Sequence, residues 1–306
     1  MNSIEAMQAE IEYQIQDLPR LSLPSQSENC LFVGAGDSYA ASLSAQYISG
    51  SHALCCYPND IILNTSILNG RDVYFTSVSG STKANIIAAM AARKQGIQTT
   101  AITTRPASKL AEVCSHIVEL RYRNTGVMTA GTISFTSSML TCAAIATRTR
   151  VPPHIDSIYR RAKKQAADVA SDIITSKFGY FVLGNGLLYS IALYSALKFN
   201  EIFGAQCMPY RIEEFCHSPL FSIRKDSQVI IMGTHNDGRS LDKRLRLEGF
   251  SSSYINFNSK GIELLLQSAF FVQLLLLELA HRHGLTDCYF LRSKKLLKIS
   301  SDFIYD

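Results

Sequence analysis

Ser77, Ser79, Ser81 and Thr82 place four hydroxyls within six residues, around a single glycine, Gly80. Hydroxyls donate hydrogen bonds without carrying charge, and a glycine lets the backbone come close to a ligand. If the stretch opens a helix, the unpaired N–H groups of the first turn and the positive end of the helix dipole add to them. The chemistry within reach is anion binding, and a phosphate carried by a small molecule has the matching charge and oxygens. A serine-rich N-cap holding nothing would have the same composition. A second group could move protons. Lys198 and Glu201 stand one helical turn apart, and His217 follows sixteen residues after Glu201. A carboxylate on an otherwise apolar helix is costly unless paired, and a positioned one can act as a general base. An imidazole exchanges protons near neutral pH. The plainer readings are a solvated Lys198–Glu201 pair and an ordinary loop histidine.

These residues need elements to hold them. Residues 72–76 read as a short buried strand, and residues 83–94, rich in alanine and isoleucine, as a helix. Cys30-Leu31-Phe32-Val33 reads as a strand, ending in Gly34-Ala35-Gly36-Asp37-Ser38-Tyr39 before a helix over about 40–47. That turn resembles a dinucleotide fingerprint, but Tyr39 stands where the third glycine is required, which argues against nicotinamide binding. Further strands are expected near 53–57, 99–103 and 117–120, with helices over 1–20, 108–115 and 133–148. Residues 159–177 read as a charged, exposed helix. The first unit then restarts: Leu31 to Gly36 parallels Phe181-Val182-Leu183-Gly184-Asn185-Gly186, and the strand at 229–234 parallels residues 73–78. The later copy has Thr234, His235 and Asn236 where the first has its serines. Strands alternating with helices imply an α/β fold, with parallel sheets flanked by helices on both faces. The break is expected at Val151-Pro152-Pro153, giving domains 1–150 and 151–306.

Composition narrows the function classes. The chain has 306 residues, 47% apolar and 18% charged, with a formal net charge of +5, which fits an ordinary globular protein of about two domains. The basic residues are scattered, so no nucleic-acid partner is expected. The eight cysteines form no C-x-x-C pair and no zinc spacing. No signal or transit peptide is legible at the start. Residues 262–280 are strongly apolar but contain Glu263, Gln267, Gln273 and Glu278, so a helix buried in protein is expected and not a membrane span. A cytoplasmic location follows as the expectation.

The motifs taken together resemble the sugar isomerase (SIS) family in its two-domain form, and most of all the isomerase part of glucosamine-6-phosphate synthase and its stand-alone relatives. The family loop S-x-S-G-x-T is met by Ser77 to Thr82, and its opening turn G-T-S-Y by Gly36-Asp37-Ser38-Tyr39. Its E-x-G-V segment is similar to Thr125-Gly126-Val127, and A-L-K-x-x-E-I to Ala196 through Ile202. E-x-x-H-G-P-L is met by Glu214 through Leu220. The resemblance implies two tandem SIS-type three-layer domains and aldose–ketose isomerisation of a hexose 6-phosphate or amino-sugar 6-phosphate, with or without deamination. Gly36, Ser38, Ser77, Ser79, Gly80, Ser81, Thr82 and Val127 would bind the substrate. Glu201 would carry the proton between C1 and C2, Lys198 would assist, and His217 would open the ring from the partner subunit of a homodimer. No metal or organic cofactor is implied. Asp37 departs from the family's threonine. No glutaminase part is recognisable, so ammonia drawn from glutamine is not expected of this chain. The family's Schiff-base lysine has only a loose counterpart, in Lys295 or Lys298. A non-catalytic sugar-phosphate-binding regulator and an archaeal-type phosphoglucose/phosphomannose isomerase are the alternatives.

Overall fold

The computed structural model describes residues 1–305. Five parallel strands form the first sheet: β1 Cys30–Val33, β2 Leu54–Cys56, β3 Asp72–Thr76, β4 Thr99–Thr103 and β5 His116–Glu119, in the order β2-β1-β3-β4-β5. The second has β6 Tyr180–Leu183, β7 Cys207–Tyr210, β8 Gln228–Gly233 and β9 Ser251–Asn256, in the order β7-β6-β8-β9. The helices are α1 Ser3–Asp17, α2 Asp37–Ile48, α3 Pro58–Leu63, α4 Lys83–Lys94, α5 Lys109–Val113, α6 Ile133–Thr147 and α7 Ile155–Ala170. They continue with α8 Leu187–Phe203, α9 Ile212–His217, α10 Arg239–Leu247, α11 Gly261–Arg282, α12 Tyr289–Arg292 and α13 Lys294–Tyr305.

All four residues of β1 and all four of β6 are buried, as a parallel strand covered on both faces requires. In the first sheet, Leu31, Val33, Val73 and Phe75 pack on one side against alanines of α4. Phe32 and Ile102 pack on the other against Cys142 and Ile145 of α6. Each large apolar side chain so buried contributes about 1.5–3 kcal/mol. The glycines that enter α2 and α8 are interchangeable in geometry: Gly36 has φ 57 and ψ −130, and Gly186 has φ 55 and ψ −125. Gly34 and Gly184 each bring a helix so close that a Cβ would lie 2.8 Å from Ser38 backbone or 2.6 Å from Leu188 backbone.

The chain divides into two compact units, and the division does not follow a single cut. One unit comprises Gln16–Asn124, Ile133–Val151 and the chain from Ser293, and holds the first sheet. The other comprises Met1–Ile15, Thr125–Thr132 and Pro152–Arg292, and holds the second. The cut expected near residue 150 separates the two sheets but misplaces the chain ends. Residues 1–15 dock on the unit of the second sheet, where Gln14 Nε2 donates to Gln273 Oε1 at 2.7 Å and Ile4 N to Thr286 O at 3.1 Å.

Two further expectations need correction. The charged helix predicted over 159–177 runs Ile155–Ala170, and it is not exposed all round. Ile155, Ile158, Tyr159, Ala162, Ala166 and Ala170 are buried, and Tyr159 meets Phe270 of α11 edge-on at 5.5 Å. His217 ends the short helix α9 and does not lie in a loop. The apolar helix α11 is long enough to cross a membrane by length and composition, but most of it is buried inside its unit.

Candidate functional site

In the unit of the first sheet, the chain runs from β1 out to β2 and returns to β3 on the other side of β1. The crevice between the carboxyl ends of β1 and β3 is therefore the point where the strand order reverses, the usual place for a ligand in an open α/β sheet. The register Val33↔Phe75 sets those two ends side by side. Gly36 and Ser38 follow β1, and Ser77 to Thr82 follow β3. Both connections lead into helices, α2 capped by Gly36 and α4 by Thr82, so two positive helix ends converge on one crevice.

The serine loop is held by the backbone and by its neighbours. Ser77 N donates to Ile102 O at 3.0 Å, and Gly80 N to Ser77 O at 3.0 Å. The Val78 carbonyl accepts from Thr103 Oγ1 at 3.1 Å, Thr104 Oγ1 at 2.8 Å and Thr104 N at 3.1 Å. Asn85, buried in the first turn of α4, donates from Nδ2 to Thr76 O at 3.2 Å. Gly80 sits at φ +61, and a Cβ there would run into the Ser108 side chain, so glycine is required. The hydroxyls satisfy one another: Ser77 Oγ lies 3.2 Å from Thr82 Oγ1, and Ser81 Oγ donates to Ser79 Oγ at 2.9 Å. Thr82 makes no side-chain cap bond of its own. Asp37 is half-buried in the first turn of α2, where the positive helix end favours a carboxylate. Tyr39 stacks on Tyr57 with ring centroids 3.9 Å apart, filling the space that a dinucleotide turn keeps for its third glycine.

In the unit of the second sheet, Lys198 is 1% exposed and its Nζ lies 2.5 Å from Glu201 Oε2, while the Glu201 side chain is 36% exposed. The pair is therefore neither a solvated stripe nor a fully buried bridge. The Lys198 ammonium also sits 5.6 Å from the centroid of the Tyr194 ring, a cation–π arrangement. Val127 is half-buried in the segment Thr125–Thr132, and its N–H donates to Thr125 Oγ1 at 3.3 Å. The His217 side chain is 71% exposed, and its Nε2 lies 3.8 Å from Glu213 Oε1. Lys295 and Lys298 are both exposed on α13.

The structure thus gathers the hydroxyl loop with Gly36 and Ser38, and pairs Lys198 with Glu201. Val127 lies in the segment Thr125–Thr132, His217 at the end of α9 and Lys298 on α13. Sequence reading missed Tyr194, although an aromatic one turn before a buried lysine could have flagged it. A cavity of about 700 Å³, lined among others by Lys177, Phe178, Gly204, His283, Tyr289 and Arg292, contains none of the candidate residues. The carboxyl ends of α8 and α11 reach it. Its cations meet the negative ends of those dipoles, an ordinary structural role.

Residues 173–248 match the family described as the SIS domain. Across 243 residues the chain is 24% identical to a glutamine--fructose-6-phosphate aminotransferase (isomerizing) of Gloeobacter violaceus, a match covering 71% of this chain and 39% of that protein. The chain spans about two-fifths of the length of the curated relatives it matches. Among solved structures, the C-terminal domain of glucosamine-fructose-6-phosphate aminotransferase from Francisella tularensis superposes with a TM-score of 0.66 at 18% identity, covering 94% of this chain and 95% of that one. Glucosamine-6-phosphate deaminase from Thermotoga maritima gives 0.69 at 19% identity, covering 93% of each. At such identities the structural likeness establishes the fold alone. The SIS match falls on the unit of the second sheet and includes Lys198, Glu201 and His217.

Proposed function

We propose that the chain is an aldose–ketose isomerase of a hexose 6-phosphate or amino-sugar 6-phosphate, built from two SIS-type domains in tandem and working in the cytoplasm. The observation that carries the reading is the hydroxyl-lined crevice where two helix N-termini meet. In this reading Ser38, Ser77, Ser79, Ser81 and Thr82 donate to the phosphate oxygens, with Gly36 and Gly80 giving backbone access and Val127 bordering the sugar. Glu201 removes the proton from C2 of the aldose and returns it to C1. The electron pair of the broken C2–H bond forms the enediol double bond, and the O2 hydroxyl proton moves to O1. The oxidation at C2 and the reduction at C1 balance, so no outside oxidant is needed. Lys198, held against Glu201, stabilises negative charge that develops on the oxygens. His217 opens the ring; its exposure suits a residue offered to a second copy of the chain in a homodimer. If nitrogen is removed as well, Lys298 is the lysine available for a Schiff base.

The test is deuterium incorporation from deuterated water, read by NMR at C1 of fructose 6-phosphate and at C2 of glucosamine 6-phosphate, as separate substrates. Wild-type protein should incorporate deuterium. Glu201→Gln should bind the sugar phosphate and exchange nothing, since a carboxamide cannot take the proton. Removal of a general base costs about a hundred- to ten-thousand-fold. Tight phosphate-dependent binding without exchange by the wild type would replace this reading with that of a sugar-phosphate-binding regulator.

A further inference from the structure

Tyr194 is buried in the unit of the second sheet and makes two contacts. Its side chain is fully buried on α8, one turn before Lys198. The ring faces the Lys198 ammonium at 5.6 Å, and that ammonium is bonded to Glu201 at 2.5 Å. The hydroxyl points the other way and donates to Gly131 O at 2.7 Å. Gly131 belongs to the segment Thr125–Thr132, which carries Val127. Other anchors of that segment come from α1 and α11: Glu10 Oε1 accepts from Thr125 N and Thr125 Oγ1, each at 3.1 Å. Thr129 Oγ1 donates to Ser3 O at 2.7 Å, and Gln273 Nε2 to Thr132 O at 3.3 Å. Tyr194 is an anchor that comes from the helix of the acid–base pair itself.

We propose that Tyr194 is a positioning residue: its ring seats the Lys198 ammonium against Glu201, and its hydroxyl fixes the Thr125–Thr132 segment at the same distance from that pair. The inference rests on the reading of Lys198, Glu201 and Val127 given above, and it deepens that reading. A phenol is the side chain that can do both. Its face accepts the buried cation, and its O–H donates to the Gly131 carbonyl. Phenylalanine keeps the first function and loses the second, while leucine loses both.

Two variants separate the functions. Tyr194→Phe should leave the sheets as protected as in wild type, while the amides of Thr125–Thr132 exchange hydrogen faster. In the exchange assay it should raise KM by about two- to tenfold, the range for one lost hydrogen bond, and leave kcat near the wild-type value. Unchanged amide exchange across 125–132 would overturn the anchoring function, whether or not the protein turns over a sugar phosphate. For the ring, Tyr194→Leu and Tyr194→Phe are each melted with and without Glu201→Ala. A ring that shares the ammonium's charge makes the loss of Glu201 costlier in the leucine background than in the phenylalanine one. Equal losses in the two backgrounds would overturn the seating function. If wild-type protein incorporates no deuterium, the enzyme reading fails, and both of these measurements still decide on Tyr194.

Discussion

Removing either member of the Lys198–Glu201 pair should have opposite effects on stability. The lysine is 1% exposed and its partner 36%, so the two charges have paid very different desolvation costs. Glu201→Ala leaves an ammonium buried with one carboxylate fewer. Breaking a fully buried pair costs about 3–5 kcal/mol. Here water reaches the carboxylate, and the Tyr194 ring shares the cation, so about 2–3 kcal/mol is the expected loss. Lys198→Met removes the charge that was expensive to bury and leaves a carboxylate that can turn to water. That change should be neutral or stabilising, by up to about 1–2 kcal/mol. At about 2–4 °C per kcal/mol for units of this size, Glu201→Ala should melt roughly 4–12 °C below wild type and Lys198→Met at or above it. The assay is calorimetric melting of both single variants and the double variant, following the transition of the unit that holds the second sheet. The double variant should recover most of the loss, because it no longer has a stranded cation. The reasoning is refuted if Lys198→Met melts as low as Glu201→Ala, or if Glu201→Ala leaves the transition in place. Under the proposed function Lys198→Met is also poorly active, so a variant with more stability and less turnover is the joint expectation.

Three further outcomes are expected. Ser77→Ala and Thr82→Ala should each weaken sugar-phosphate binding by about 1–3 kcal/mol; equal calorimetric affinity of wild type for glucose and glucose 6-phosphate would count against the loop as a phosphate site. Burial pushes the Glu10 carboxyl above its usual 4.5, against the hydrogen bonds from Thr125 and Thr132 that pull it down. A carboxyl that holds its proton more tightly when folded gives its full stabilisation below the ordinary pKa and loses it as pH rises through the raised one. Glu10→Gln should therefore flatten the stability–pH curve above about pH 4.5 and gain on wild type as pH rises; parallel curves in urea titrations would refute this. Finally, mixing inactive Glu201→Gln and His217→Ala homodimers should restore activity if His217 serves a partner's site, since a mixed dimer then has one site free of both lesions. No recovery, with mixed dimers seen by mass spectrometry, excludes the shared site.

Much of this was legible in the sequence because the signals are local. The strands β1, β3, β6 and β8 are short apolar runs closed by glycine, serine or threonine, and α4 and α8 are long runs of helix formers. The remaining strands give weaker signals. β7 contains Pro209 and β9 opens on Ser251-Ser252-Ser253, yet both are edge strands, where a missing donor or a polar run is tolerated. The chain ends were assigned to the wrong sheets because their docking depends on contacts some 260 residues away along the chain, such as Gln14 with Gln273. Helix α7 looked solvated because of its two arginines and two lysines, while its buried face combines two isoleucines, a tyrosine and three alanines. The Lys198–Glu201 spacing was readable, but its asymmetric burial was not, since that depends on what covers α8.

The two sheets also show why strand order alone does not make a site. Both reverse direction next to their first strand, and both enter the following helix through the same glycine geometry. In the first sheet the crevice ends in hydroxyls that bond one another, and these can turn to a ligand at little cost. In the second the corresponding space is taken by the chain itself. Asn185 donates from Nδ2 to Asp237 Oδ2 at 2.9 Å and accepts from Ile212 N at 3.1 Å. Gly233 has no room for even a Cβ beside the Asp237 carbonyl and the Tyr254 ring. The Asp237 carboxylate lies just before the N-terminus of α10, and Asp37 lies in the first turn of α2, so a carboxylate stands at both crevices and the loops alone differ. The contrast rests on a few side chains: serines and a threonine in one loop, and an asparagine and an aspartate in the other. Under the proposed function the phosphate is therefore placed in the crevice after β1 and β3, and not in its counterpart after β6 and β8.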